Sequence, residues 1–124
     1  MSPKATRAVQ EAARRIVRER DGHRCQMCGL NILGGDGAIH HRIPKGMGGS
    51  ALLESPANLV TLCGTGNADK CHGKAHRNPQ WAHNHGWITY RSLDPREIPV
   101  DMWDGWHLLL DDGSRIPYTG EGAA

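Results

Sequence analysis

Apolar and polar residues alternate most regularly near the start of the chain, where the pattern indicates an amphipathic helix. Over residues 4–20, apolar side chains recur every three or four residues, which places them on one stripe of a helix. The stripe consists of Val9, Ala12, Ala13, Ile16 and Val17. Arginines occupy much of the remaining surface, and Asp21 and Gly22 end the pattern. The sequence therefore predicts a helix over 4–20 with one buried face and one basic face.

Shorter apolar runs in the middle of the chain indicate two strands followed by a short helix. Residues 38–43 and 58–63 are rich in apolar side chains and are flanked by turn residues, as is typical of strands. A loop over 44–50 with three glycines lies between them. Residues 71–76 carry cysteine and histidine at helical spacing, so they are predicted to open a short helix.

The last third of the chain predicts a separate, β-rich appendage. Residues 87–90 resemble a strand, and residues 106–110 and 114–118 resemble a hairpin joined by an Asp-Gly turn. The tail, residues 119–124, is expected to be disordered. The tryptophans are expected to form the small core of this appendage rather than an exposed stacking surface. These are Trp81, Trp87, Trp103 and Trp106.

Charge is distributed unevenly along the 124 residues. Residues 1–24 carry seven basic and three acidic side chains, residues 25–90 five and three, and residues 91–124 three and seven. A basic front and an acidic tail suit a polyanionic partner that contacts the first two thirds of the chain. A solvated helix face produces the same pattern, so charge alone leaves both interpretations open.

The chain has no segment that indicates a membrane or a secretory route. No apolar stretch approaches the roughly 18 residues of a membrane span, and the N-terminus lacks the apolar core of a signal peptide. We therefore expect a cytoplasmic protein with no membrane partner, in which cysteines stay reduced. Its length suits one domain, with an N-terminal helix over 1–24, a core over 25–78 and the appendage over 79–124.

Four reduced cysteines favour a metal site over disulfides. Cys25 and Cys28 have the two-residue separation of a zinc knuckle, whereas seven residues separate Cys63 from Cys71. The loop between the second pair is small and polar, so it can bulge outward and still return Cys71 to the metal. Four thiolates would close the site and make it structural. The alternative is two knuckle ligands and two ordinary buried cysteines.

Histidines supply a second set of candidate ligands. His40 and His41 are adjacent, and His72 and His76 are four residues apart, on one face of a helix. Adjacent strand residues point different ways, so His40 can bind a metal while His41 faces a water molecule. Hydrolysis of a phosphodiester needs such a base and a cation that neutralises the developing charge. The remaining histidines are interpreted as structural or surface residues: His23, His83, His85 and His107.

In their order along the chain, these motifs resemble the HNH nucleases, which have the ββα-metal fold. The matching motifs are Cys25-x2-Cys28, Ile39-His40-His41-Arg42-Ile43-Pro44, Gly48-Gly49, Asn58-Leu59-Val60-Thr61-Leu62-Cys63 and Cys71-His72-x3-His76. The resemblance covers roughly residues 18–77 and is strongest to small HNH proteins of bacteriophages. It implies an α+β fold with a ββα-metal core stapled by the zinc site, flanked by the N-terminal helix and the β-rich appendage.

The resemblance implies roles for individual residues. His40 would bind the catalytic metal, His41 would be the general base, and Asn58 would orient the loop that carries the base. His72 would complete the metal site, and His76 matches a ligand found in some members. The chain departs from the family pattern in two places. Relatives often have aspartate where this chain has His40, and their second cysteine pair is usually separated by two residues.

The activity implied by the resemblance is metal-dependent hydrolysis of DNA, by nicking or by double-strand cleavage. The implied cofactors are a structural Zn²⁺ and a catalytic divalent ion, which is Mn²⁺, Mg²⁺, Ni²⁺ or Zn²⁺. The implied partners are double-stranded DNA and, in a bacteriophage, packaging proteins such as a terminase. The residues expected to contact DNA are Arg14, Arg15, Arg18, Arg42 and Lys45. Two alternatives stay open: a non-catalytic zinc-ribbon DNA-binding module, and a nuclease subunit that acts only with a partner.

Overall fold

The computed structural model describes residues 6–33, 35, 37–44, 51–65 and 69–119 of the protein. The helices are α1 (Arg7–Arg20), α2 (Lys70–Arg77) and α3 (Pro79–Asn84). The strands are β1 (Gly37–His41), β2 (Leu59–Cys63), β3 (Val100–Met102), β4 (Gly105–Leu109) and β5 (Arg115–Pro117). Short 3-10 turns span Ala51–Glu54, Pro56–Asn58 and Pro95–Glu97. The mixture of helix and sheet confirms the α+β prediction. Within the described residues, no helix has the length and apolarity needed to cross a membrane.

Helix α1 confirms the predicted N-terminal helix. The Thr6 hydroxyl accepts a hydrogen bond from the Val9 amide at 3.2 Å and caps its first turn. Its buried stripe is narrower than predicted, because Ala13 and Val17 are buried while Val9 and Ile16 are exposed. The C-terminal end is fixed to β2 through Asp21, whose buried carboxylate accepts hydrogen bonds from Arg20 and from the Thr61 amide.

Strands β1 and β2 form an antiparallel hairpin at the centre of the fold. His40 lies opposite Val60 and His41 lies opposite Leu59. All five residues of β2 are buried, because α1 and α2 both pack against this strand. Both predicted strands are therefore confirmed, although β1 ends at His41, before the two residues predicted to follow it.

The C-terminal part contains an antiparallel sheet of order β3-β4-β5. The predicted hairpin corresponds to β4 and β5, whereas α3 and β3 were not predicted. The predicted strand over 87–90 is wrong. The Trp87 amide donates to the Ala82 carbonyl and the Thr89 amide donates to the Arg42 carbonyl, so this segment's amides have scattered partners instead of one neighbouring strand. The tail predicted to be disordered spans residues 119–124. Of these, only Thr119 is among the described residues, so the prediction for 120–124 lies outside them.

One hydrophobic cluster joins the C-terminal part, which was predicted as an appendage, to the β1–β2 hairpin. Its buried members are Cys25, Val60, Leu62, Cys63, Ala75, Ala82, Trp87, Val100, Met102 and Leu109. Of the four tryptophans, only Trp87 is a buried core residue; Trp81 packs against the cluster, and Trp103 and Trp106 are exposed. The tryptophan-core prediction therefore holds for Trp87 and in part for Trp81, while Trp103 and Trp106 are partly exposed.

Arg42 joins the two parts by polar contacts. Its Nε donates to the Gly86 carbonyl at 2.9 Å, and its Nη2 donates to the Ile98 carbonyl at 2.7 Å. Its Nη1 donates to the carbonyls of Ala57 at 3.0 Å and Pro95 at 2.9 Å. The side chain has no exposed surface, and burial lowers the pKa of its guanidinium to about 9. The predicted DNA contact of Arg42 is therefore corrected: the guanidinium is committed to four backbone carbonyls inside the protein.

Candidate metal and catalytic centre

Four cysteine sulfurs converge from three elements. Cys25 and Cys28 lie in the turn after α1, Cys63 ends β2, and Cys71 lies in the first turn of α2. Their Sγ atoms all lie within 4.8 Å of one another, and none forms a disulfide. The Sγ atoms of Cys28 and Cys63 are 3.8 Å apart. A tetrahedral zinc with Zn–S bonds of about 2.3 Å separates its sulfurs by about 3.8 Å. The four residues therefore fit a zinc ion.

The first cysteine pair lies in a tight turn that brings its sulfurs to the same side. The Gly29 amide donates to the Cys25 carbonyl at 2.8 Å, and the Cys28 amide points to the Cys25 sulfur at 3.5 Å. Gly29 has a φ of +79°, a backbone conformation that favours glycine. A Cβ at this position would also lie 3.1 Å from the Trp103 ring. Gly29 is therefore required both by the turn and by its contact with Trp103.

The thiols resist ionisation unequally. Burial raises the pKa of Cys25 to about 11, and burial also raises the pKa of Cys71. Burial acts in the same direction on Cys28, but the Leu30 amide and the neighbouring thiols outweigh it and lower the pKa of Cys28. A bound zinc ion would outweigh this effect of burial on the thiol pKa, because a thiol that coordinates zinc is deprotonated.

Three histidines form a second cluster close to the four cysteines. His40 comes from β1, and His72 and His76 come from α2. One ring nitrogen of each lies within 4.8 Å of the others, and the Nε2 atoms of His72 and His76 are 3.3 Å apart. A tetrahedral ion with metal–nitrogen bonds of about 2.0–2.1 Å separates its nitrogens by about 3.3–3.4 Å. The cluster therefore fits one divalent ion, and His76 joins His40 and His72 within it.

His40 is held in place from the C-terminal part. Its Nε2 lies 2.6 Å from the Trp87 carbonyl oxygen, so Nε2 donates and Nδ1 keeps the lone pair that can bind a metal. Burial lowers the pKa of His40 to about 3, which keeps the ring neutral at physiological pH. Sequence reasoning missed Trp87, since a backbone carbonyl 47 residues away leaves no signal in residue identity.

His41 lies on β1 next to His40 and faces a different partner. Its Nε2 is 2.8 Å from Oε2 of Glu54, at the end of the Ala51–Glu54 turn. The His41 side chain is 14% exposed, so its ring retains limited access to solvent. Sequence reasoning also missed Glu54. No motif marks it, because it is a single carboxylate next to a glycine-rich loop.

Asn58 connects the segment after β1 to the turn that carries Glu54. Its Oδ1 accepts from the Ile43 amide at 2.8 Å, and its Nδ2 donates to the Leu53 carbonyl at 2.9 Å and to the Ile43 carbonyl at 3.3 Å. The side chain is fully buried. These hydrogen bonds are those expected of a residue that holds the backbone near His41. The effect of Asn58 on catalysis stays a prediction.

The residues predicted to contact DNA are scattered. On α1, Arg15 and Arg18 are exposed, and Arg14 is partly buried, 3.9 Å from Glu11. Arg42 is buried, as described above, and Lys45 lies outside the described residues. Of the five predicted contacts, only the α1 arginines thus remain available at the described surface.

Comparison with known proteins agrees with this geometry. Residues 25–78 match the family model described as HNH endonuclease, a segment that contains all four cysteines and every histidine of the second cluster. No curated protein and no solved structure is significantly similar to the chain. The segment from Cys25 to the residue after α2 is therefore similar to HNH endonuclease domains.

Proposed function

We propose that this protein is a metal-dependent endonuclease that hydrolyses phosphodiester bonds of DNA. The observation that carries the proposal is that two adjacent histidines, His40 and His41, have different surroundings. His40 joins His72 and His76 in a cluster that fits a divalent ion, while His41 lies beside them with a carboxylate partner. A domain that only binds DNA needs neither arrangement.

In this proposal each side chain has one task. His40, His72 and His76 would hold a divalent ion, which when bound supplies positive charge to the phosphate and to the leaving oxygen. Nδ1 of His41 takes the proton of the attacking water, whose oxygen forms a bond to phosphorus. The bond from phosphorus to the 3′ oxygen breaks, and this oxygen takes a proton from solvent, which leaves 5′-phosphate and 3′-hydroxyl ends. Asn58 keeps the backbone beside His41 in place.

The four cysteines would hold a structural zinc ion that positions the catalytic elements. Cys63 ends β2 and Cys71 begins α2, so the ion would link the strand opposite His40 and His41 to the helix that carries His72 and His76. With four thiolate ligands it has no open position for substrate. Its task is therefore to set the distance between hairpin and helix.

Supercoiled plasmid is expected to be nicked or linearised when Mn²⁺, Ni²⁺, Co²⁺ or Zn²⁺ is added. Imidazole ligands suit these ions better than Mg²⁺, which prefers oxygen. The measurement is plasmid topology after incubation of zinc-loaded protein with each metal, against a sample with a chelator too weak to remove the structural zinc. Binding without cleavage under every metal would favour the non-catalytic zinc-ribbon module. Cleavage that appears only with a partner protein would favour the nuclease subunit that depends on a partner.

Three arginines of α1 are the proposed contacts to DNA phosphates: Arg15 and Arg18 are exposed, and Arg14 is partly buried beside them. Replacing Arg14, Arg15 and Arg18 with alanine is expected to weaken binding at low salt. The slope of log affinity against log salt should flatten by about 0.9 for each phosphate that the variant no longer neutralises. The measurement is a salt titration of duplex binding, with exposed Arg91 replaced by alanine as the matched control. An unchanged slope in the triple variant would move the DNA-binding surface away from α1.

A further inference from the structure

The carboxylate of Glu54 is buried against the ring proposed to act as the base. Glu54 is 3% exposed, and its Oε2 lies 2.8 Å from Nε2 of His41. Burying a carboxylate is unfavourable unless it is hydrogen-bonded, and here an imidazole nitrogen is its partner. This contact is not required by the zinc site or by the histidine cluster, so it needs its own explanation.

We propose that Glu54 is a positioning residue for His41, an inference that rests on the proposed nuclease function. An ionised carboxylate only accepts hydrogen bonds, so Glu54 requires a proton on Nε2 of His41. In the neutral ring the lone pair is then on Nδ1, the nitrogen that must take a proton from water. Glu54 therefore selects the reactive tautomer and fixes the angle of the ring.

The turn that carries Glu54 is held in place without His41. The Asn58 side chain donates to the Leu53 carbonyl, one residue before Glu54, and accepts from the Ile43 amide. Helix α1 also contacts the Ala51–Glu54 turn. Because other contacts hold the backbone on both sides of the pair, the hydrogen bond between Glu54 and His41 is not needed to hold the turn. Its main effect is therefore on the orientation and tautomer of the His41 imidazole.

Glu54→Gln preserves the size of the side chain and tests this inference through kinetics. A glutamine amide presents either an acceptor or a donor to Nε2, so the tautomer of His41 is no longer fixed. We expect kcat for plasmid cleavage to fall by about 10- to 100-fold, a part of the total effect of a general base. KM should change by less than about two-fold, since Glu54 contacts no DNA in this proposal.

The matched control is a second histidine–carboxylate pair outside the proposed centre. Nδ1 of His85 lies 2.8 Å from Oδ2 of Asp101, so Asp101→Asn makes the same chemical change at the same distance. It should leave kcat unchanged. In a His41→Ala background, Glu54→Gln should cost less than about two-fold, because a positioning residue acts only through the group it positions. An equal loss with and without His41 would show a structural role and overturn the inference.

The tautomer can also be measured without cleavage. In zinc-loaded, ¹⁵N-labelled full-length protein at mildly alkaline pH, His41 should show a protonated Nε2 and an unprotonated Nδ1, assigned by their loss in His41→Ala. Glu54→Gln should convert this signature to a mixture of tautomers. A parent protein with the proton on Nδ1, or a signature that Glu54→Gln leaves unchanged, would overturn the inference. If the parent protein cleaves no DNA, the nuclease proposal fails while this measurement still decides whether Glu54 sets the tautomer.

Discussion

Protein carrying Cys28→Ser is expected to lose its tightly bound zinc and to be unfolded or insoluble. A structural zinc site contributes about 10–16 kcal/mol to folding at neutral pH. The whole stability of a domain of this size is only about 5–15 kcal/mol. Cys25 and Cys63 are buried members of the hydrophobic cluster that joins the C-terminal part to the hairpin, so a chain without the metal would have to bury uncoordinated thiols there.

Zinc content by elemental analysis and thermal unfolding by circular dichroism test this expectation. The parent protein should contain about one zinc ion, and a strong chelator should unfold it. Met27→Leu is a suitable control, because Met27 lies in the same turn, packs against the cluster and is not one of the four cysteines. That variant should keep the metal and melt near the parent. If Cys28→Ser melts like the parent, zinc does not support this fold.

The second large effect is expected from His41→Ala, which should lower the cleavage rate by about 10²–10⁴-fold, the usual range for a general base. Zinc content and DNA affinity should be nearly unchanged, because His41 belongs to neither ligand cluster. The variant should still fold, with a lower melting temperature because the buried Glu54 carboxylate loses this hydrogen bond. The deficit should narrow at high pH, where hydroxide partly replaces the base. Initial rates of plasmid cleavage across pH, with zinc analysis of the same samples, are the measurement.

His72→Ala provides the comparison that separates the two proposed roles. Since His72 belongs to the histidine cluster, this variant should need more Mn²⁺ for half-maximal activity and should recover partly when metal is added. His41→Ala should not respond to added metal. If metal rescues His41→Ala while high pH rescues His72→Ala, the two roles are exchanged. If neither variant affects cleavage, the histidine cluster is not the catalytic centre.

The parts of the site that could be predicted from sequence are those in which residue type and local spacing carry the chemistry. Two cysteines separated by two residues can bind one metal ion when the chain between them forms a tight turn. His72 and His76 lie on the same face of a helix because they are four residues apart. The strands around His40 and Asn58 are predictable because their apolar runs are short and bounded by turns. The order of these elements along the chain places the histidine cluster on the hairpin and the helix that follows it, and the cysteine cluster between these two elements and the turn after α1.

The parts that could not be predicted are contacts to backbone groups and to distant single side chains. From the sequence, Arg42 is expected to be a charged surface residue. In the structure it is buried, and its guanidinium donates hydrogen bonds to backbone carbonyls. Trp87 contributes a carbonyl to His40, a role that any residue type can fill. The same dispersed hydrogen bonding explains why residues 87–90 are not a strand, although their apolar and aromatic composition favours one.

A fragment cut at residue 78, where the matched HNH segment stops, would retain every cysteine and histidine of both clusters. It would lose the carbonyl that holds His40 and three of the four carbonyls that satisfy Arg42. The guanidinium would then have to move to solvent and open the core beside β1. The matched motif and the smallest segment that holds this centre together are thus different lengths of chain, and grafting the centre into another protein requires at least residues 79–98 to accompany it.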